Sequence, residues 1–463
     1  MNMRKTILSL SIATLLSACA FTPDNTLPTV EIPAVATQAD AVAIENWWSQ
    51  FNDPILNQLI EYALINNQNL ALATAKVDEA RAVLGIVSSD QLPKLGLGAD
   101  AGTQKFSKEG GTAPGSTVSD YKLVGQASWE IDLWGRIRNL STAAKQDLLA
   151  TEFNREGVKL TLTAEVAQNY FNLRALDAQL IITDETIKSR QEAYDLREKR
   201  FKGGITSELD VRQAQAELAA AQAKKPDLEI SIAKTEGALS VLVGQSPRAL
   251  VESGVSRGLT IDQLTTPPVI PAGLDSSLLL RRPDIAQAEA GLLAARARIQ
   301  SARAAYFPRL SLTGLLGLES LDFSRLFQGS AQTWAFAGNL TMPLFDGGLT
   351  ASQIDQAKAR DRQAAAIYQQ AIQNAFVDTR NVLVANKVIN DRVAAEQTQV
   401  TSTQRQLKLA TLRYDNGFAS YLEVLDAQRN LFSSQLQLVS AQRDLLDARV
   451  SLYKALGGGW SKN

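Results

Sequence analysis

The chain has no histidine and a single cysteine in 463 residues. Without imidazole there is no Ser-His-Asp triad, no Cys-His dyad and no histidine metal ligand. One thiol excludes an intrachain disulfide, a thiolate zinc cluster and a C-x-x-C redox pair. Charge of one sign is also missing: 47 Lys+Arg against 48 Asp+Glu leave a formal net charge of −1, so nothing marks a basic face for nucleic acid. No run of about 20 apolar residues exists from which to build a spanning helix. No G-x-x-x-x-G-K-[ST] cradle for phosphate occurs, and Gly96-Leu97-Gly98 lacks the third glycine of a dinucleotide loop. No catalytic constellation, metal site or soluble cofactor is expected, and the chain does not read as an enzyme. Proline and glycine are scarce where it matters. After Pro343 there is no proline, and between Gly348 and Gly457 the only glycine is Gly417. A run that long predicts helices far beyond the 8–20 residues of an ordinary globular one.

The N-terminus reads as an address. Arg4 and Lys5 precede an apolar stretch from Ile7 to Leu16, too short to span a bilayer. The stretch runs into Leu16-Ser17-Ala18-Cys19, which resembles the lipobox of bacterial lipoproteins. Residues 1–18 are therefore expected to be a signal peptide and Cys19 the acylated first residue of the mature chain. Removal of Arg4 and Lys5 would leave 45 − 48 = −3. Ala20 and Phe21 follow the cysteine where an Asp would mark inner-membrane retention, so the resemblance implies sorting to the outer membrane.

The remainder is one unit written twice, at an offset of about 213 residues. Arg200 to Val211 (R-F-K-G-G-I-T-S-E-L-D-V) aligns with Arg413 to Val424 (R-Y-D-N-G-F-A-S-Y-L-E-V), and Gly244 with Gly457. Upstream, Leu92-Pro93-Lys94-Leu95 matches Phe307-Pro308-Arg309-Leu310, and Leu133-Trp134-Gly135 matches Phe345-Asp346-Gly347. The expected division is a linker and first repeat over 19–250 and a second repeat over 251–463. Each half reads helix, two strands, then a very long helical hairpin. Residues 350–415 as one helix would measure about 100 Å, and Asp415-Asn416-Gly417 would reverse it. The returning helix carries two apolar stripes: Tyr421, Leu425, Phe432, Leu436, Val439, Leu446, Val450 and Tyr453, and a strict heptad at Leu431, Leu438, Leu445 and Leu452. Two seams predict neighbours on two sides.

The segments between alternate instead. Tyr121 to Leu133 and Thr333 to Met342 place apolar residues at every second position, and 94–106 and 309–319 do so more weakly. Each is about the 9–11 residues of a transmembrane strand. Trp129, Trp134 and Trp334 fall near strand ends, as in an aromatic girdle. Four strands close no useful barrel, whereas twelve from three copies would leave a lumen. A half-buried soluble sheet packed on helices is the alternative that the pattern leaves open.

Arg281-Arg282-Pro283-Asp284-Ile285 with Ala288-Glu289, Ala304 to Leu312 (A-A-Y-F-P-R-L-S-L), Arg413 to Leu431 and Leu456-Gly457-Gly458-Gly459-Trp460, taken with the duplication and the lipobox, resemble the TolC-like outer-membrane factors of bacterial tripartite efflux systems, in their OprM-like lipoprotein branch. The resemblance covers essentially the whole mature chain. It implies a mixed fold of long α-helices and transmembrane β-strands: a homotrimer with a twelve-stranded outer-membrane barrel, four strands per protomer, continuous with a long periplasmic helical barrel. It further implies docking onto a periplasmic adaptor and an inner-membrane transporter of the resistance-nodulation-division type, and hence the export of drugs or other toxic small compounds. A protein-secretion conduit and a non-conducting periplasmic lipoprotein scaffold are the alternatives. Three methionines and no histidine lend no support to a soft-metal cargo.

The resemblance also assigns sites. Leu422 matches an apolar plug of the periplasmic aperture, Glu423 and Asp426 match its acidic rings, and Asp210 matches a carboxylate that ties the closed tips. Leu422 and Asp426 stand four apart, on one helix face. Three carboxylates brought together in a trimer repel one another and attract cations. Ala419 departs from relatives that carry an arginine there, so the family's latch is not reproduced residue for residue. Gly203, Gly204 and Thr206 in one tip, and Asn416, Gly417 and Ser420 in the other, are the expected adaptor contacts.

Overall fold

A computed structural model describes residues 22–23, 26–28, 46–109, 114–252, 254–267 and 281–458. Cys19 and Trp460 lie outside them. Close contacts divide the chain into two compact units. The first comprises Ala75–Glu152 and Gln287–Gln370 with the described part of Met1–Val30; the second comprises the described parts of Glu31–Thr74, Phe153–Ala286 and Ala371–Asn463.

In chain order the elements are α1 (Pro54–Asn66), α2 (Gln68–Ser89), β1 (Lys94–Lys105), β2 (Thr117–Ile131), α3 (Arg136–Lys202), α4 (Glu208–Leu242), the one-turn α5 (Pro247–Glu252), α6 (Pro283–Ala304), β3 (Arg309–Ser320), β4 (Gln332–Thr341), α7 (Leu349–Asp415) and α8 (Tyr421–Ala455). The duplication is visible in the lengths. Both α3 and α7 have 67 residues, and both α4 and α8 have 35. Sixty-seven residues at 1.5 Å each make about 100 Å. The reversals match too. Gly204 and Gly417 hold φ of 74° and 77°, which suits a residue without Cβ. The next amide in each donates back to a carbonyl five residues earlier, Ile205 to Arg200 and Phe418 to Arg413, both at 2.9 Å. This is the glycine-ended helix stop.

In the first unit the four strands form an antiparallel meander in the order β1-β2-β3-β4. Register settles which residues share a face. Leu97 pairs with Gly125, Gly125 with Leu316 and Leu316 with Trp334; one step along, Gly96 pairs with Gln126, Gln126 with Leu315 and Leu315 with Ala335. One face is therefore Leu95, Leu97 and Ala99; Leu123, Ala127 and Trp129; Leu310, Leu312, Leu316 and Leu318; and Trp334, Phe336 and Leu340. The opposite face carries Lys94, Asp100, Lys122, Gln126, Ser128, Ser311, Thr313, Glu319 and Asn339 with small residues, and only Val124 and Leu315 among its central positions are large and apolar. The strand bounds agree with the expected segments within two residues, except that β2 starts four residues earlier.

In the second unit the core joins the segment before α1 to the long helices. Trp47, Phe51, Leu56 and Ile60 pack with Tyr170, Phe171 and Leu173 of α3, Leu239 of α4 and Leu446, Val450 and Tyr453 of α8. Trp47 stacks on Tyr453 with ring centroids 5.5 Å apart, and Phe51 meets Phe171 at 4.9 Å. A buried polar hub lies within it. Asp53 caps α1 through the Ile55 amide (2.8 Å) and accepts the Tyr170 hydroxyl (2.6 Å) and the Leu259 amide (3.0 Å). The R-R-P-D stretch has a structural role here. Arg282 donates to Asp284 (2.8 Å), to Asp378 of α7 (3.3 Å) and to the Ala455 carbonyl at the end of α8 (3.2 Å), while Pro283 opens α6.

Candidate functional site: a two-faced sheet and a pair of helical tips

Two places are candidates for function. The first is the sheet. Its apolar face is left largely bare by the described residues: Leu95 is 82% exposed, Leu97 80% and Trp334 77%, with Leu316, Phe336 and Leu340 comparably bare. A water-facing sheet of this breadth would be an aggregation liability, whereas hydrocarbon on that side removes the cost. The polar face holds an ionic row near the β1–β2 and β3–β4 loops, with Lys122 between Asp120 (2.9 Å) and Glu319 (3.2 Å). Strands of 10 to 15 residues are long enough to cross a bilayer's hydrocarbon with tilt. Trp129 donates to the Gln91 carbonyl (3.0 Å); Trp134 lies just past β2, donating to the Pro308 carbonyl (2.8 Å) and packing on Phe307. Among the described residues no helix is long and apolar enough to cross a membrane.

The second place is the pair of tips. Tyr421, Val424, Leu425 and Ala427 of α8 bury themselves with Ala214 of α4 and Ala410 of α7, with Tyr194, Leu407 and Tyr414 around them. That packing turns Leu422 outward, at 50% exposure. Glu423 and Asp426 are exposed as well, each facing a guanidinium: Arg413 stands 3.8 Å from Glu423 and Arg429 3.5 Å from Asp426. Asp210 accepts a short hydrogen bond from Thr206 and does not meet Glu423 or Asp426 within the chain. Ser207 caps α4 at the Asp210 amide (3.3 Å), whereas Ser420 stands at the N-cap of α8 without a side-chain bond. Asn416 closes the other tip by donating to the Leu412 carbonyl (2.7 Å), and Gly203 donates to the Lys199 carbonyl (3.1 Å).

Sequence reasoning missed the charges behind these tips. Glu217 of α4 is buried; its carboxylate accepts from Arg429 of α8 (2.6 Å) and pairs with Arg190 of α3 (3.2 Å), which also donates to its backbone carbonyl (2.7 Å), so one residue ties three helices. Burial pulls the Arg190 pKa down from its ordinary value, and the Glu217 charge works against that. Burial raises the Tyr421 phenol, with the Arg197 charge opposing. The available signal was heptad spacing: Thr183, Arg190 and Arg197 recur every seven residues on α3, where a search for apolar seams passes over them.

A sheet with one bare apolar face is joined in sequence to duplicated 67- and 35-residue helices, and the model of the outer membrane efflux protein family matches the chain twice, over residues 59–245 and 274–458. The chain belongs to that family. It is 34% identical to the cation efflux system protein CusC of Escherichia coli strain K12 over 98% of this chain and 99% of that protein. It is 36% identical to the probable efflux pump outer membrane protein TtgC of Pseudomonas putida over 99% of this chain and 96% of that one. The solved outer membrane channel CmeC of Campylobacter jejuni superposes with a TM-score of 0.89 at 29% identity, covering 96% of each chain. The family membership and the outer-membrane location expected from the sequence both hold, and the half-buried soluble sheet does not.

Proposed function

We propose that this protein is a passive, gated exit duct: the outer-membrane channel of a tripartite efflux system, carrying drugs and other toxic small compounds to the exterior. The observation that carries the reading is the two-faced sheet, apolar and bare on one side, polar on the other. A periplasmic spacer needs no such sheet. Three copies pair β4 of one with β1 of the next and close twelve strands around a lumen lined by Lys122, Gln126 and Asn339, while α3, α4, α7 and α8 of each build the helical barrel. The two repeats, 19–250 and 251–463, each contribute to both. The duct performs no chemistry of its own and takes its energy from an inner-membrane transporter of the resistance-nodulation-division type through a periplasmic adaptor, received at Gly203, Gly204, Thr206, Asn416, Gly417 and Ser420. Residues 1–18 are removed, and Cys19 carries the lipid anchor, its only covalent group. Leu422, Glu423 and Asp426 form the resting aperture, with Asp210 holding the tips. Relatives named for cation efflux and for toluene efflux both match this chain over nearly its whole length, so we assign the choice of cargo to the pump.

The single native thiol makes the test clean. Cysteines placed in turn along β2, in a Cys19→Ser background on outer-membrane vesicles, should alternate. Positions 122, 126 and 128 should react with a membrane-impermeant maleimide, while 123 and 127 should stay protected until detergent is added. Equal reactivity along the strand would remove the barrel reading.

A further inference from the structure

Arg197 lies on α3 near the first tip, with its side chain buried at 6% exposure. Its guanidinium stands over two rings at once, 4.6 Å from the centroid of Tyr414 and 4.5 Å from that of Tyr421. Tyr414 closes α7 and Tyr421 opens α8, so one cation from the first hairpin grips the second on both sides of its reversal at Gly417. The rings themselves sit 5.4 Å apart. The Nε and Nη1 of Arg197 find no hydrogen-bond acceptor among the described residues.

One heptad back, Arg190 is buried too, resting over the Phe432 ring at 5.4 Å and sharing Glu217 with Arg429; a further heptad back, Thr183 is fully buried. A position repeating every seven residues in a helical seam ordinarily holds an apolar side chain. Here it holds Thr, Arg and Arg. A buried guanidinium with unsatisfied N–H groups is less stable than a packed apolar residue of similar size, so towards the tip this seam is weaker than the aromatic core around Tyr170 and Phe171. Its grip depends on a directional cation–ring contact that can be made or lost as a unit.

We propose that Arg197 is the positioning residue of the aperture. The clamp fixes the first turn of α8, and with it the adjacent Leu422, Glu423 and Asp426. Its release lets the second hairpin move while the apolar core stays packed. The inference rests on the reading of Leu422, Glu423 and Asp426 as the aperture, and the test separates the two.

Single-channel conductance and trimer melting are measured on the full-length protein and on Arg197→Ala, Arg197→Lys and Glu423→Ala/Asp426→Ala. Arg197→Ala should raise mean conductance several-fold while keeping cation preference, because the acids remain, and its melting temperature should stay within a few degrees. Arg197→Lys, which keeps a cation over the rings, should behave as wild type. Unchanged conductance in Arg197→Ala beside an enlarged one in the double acid variant overturns the clamp alone. No change in either removes the aperture, and the clamp with it. If Arg197→Ala fails to assemble, Arg197→Met, which fills the space without charge, decides: a larger conductance supports the clamp, and wild-type behaviour reduces Arg197 to packing.

Discussion

Asp447 shows how a single side chain in the helical unit ties stability to pH. It sits on α8 with one carboxylate oxygen buried and unpartnered. Burial raises its pKa from 3.8 to about 7, Arg443 pulling it down and Asp444 pushing it up. The folded value exceeds the unfolded one, so the carboxyl holds its proton more tightly in the folded state. The stability this contributes is complete below about 4 and is lost as pH rises through about 7. Asp447→Asn should therefore raise the unfolding free energy at pH 8, by on the order of 4 kcal/mol at most, read as a higher melting temperature, and leave it unchanged at pH 4. Equal effects at both pH values would place the group elsewhere. At this scale the sequence was only partly legible. Glu423 and Asp426, which the family resemblance assigns to the proposed aperture, are both exposed. Their partners Arg413 and Arg429 could not be read from the sequence, because which arginine faces which acid depends on how the hairpins pack. Arg429 reaches Glu217, a residue 212 positions away, and no local pattern encodes that.

At the scale of elements, the helices were legible because the absence of proline and glycine leaves so few places to stop. The strands were legible because period-two alternation reports a sheet with unlike faces. The face common to four strands was not, since it requires register, and a slip of one residue would invert a strand. The faces make a paired prediction. Leu316→Arg on the apolar side should destabilise the assembled barrel by about 2–4 kcal/mol, read as a lower melting temperature of the trimer in detergent. Gln126→Arg on the polar side should leave assembly intact. Equal losses from both would mean that the faces do not see different solvents. In the helical unit, the segment before α1 is held through Asp53. Tyr170→Phe deletes the 2.6 Å bond to that carboxylate and should cost about 1–3 kcal/mol. The measurement is thermal unfolding, with limited proteolysis reporting whether residues 46–66 loosen first.

The whole molecule is a duplication whose halves are not its compact units. Each compact unit draws on both repeats, so neither half is expected to fold alone: β2 of the first repeat pairs with β3 of the second, and the core around Tyr170 needs α8. The sequence offset of about 213 residues reveals the copying, while the way the copies interlock follows from strand pairing and burial. Sheet, hairpins and family membership converge on an outer-membrane efflux channel. The most direct measurement is single-channel conductance of the purified, lipidated trimer in a planar bilayer, beside Glu423→Ala/Asp426→Ala. The wild type should give small, cation-selective openings, and the double variant larger ones with selectivity lost. A correctly folded trimer that conducts in neither form would contradict the account and leave a scaffold in place of a duct.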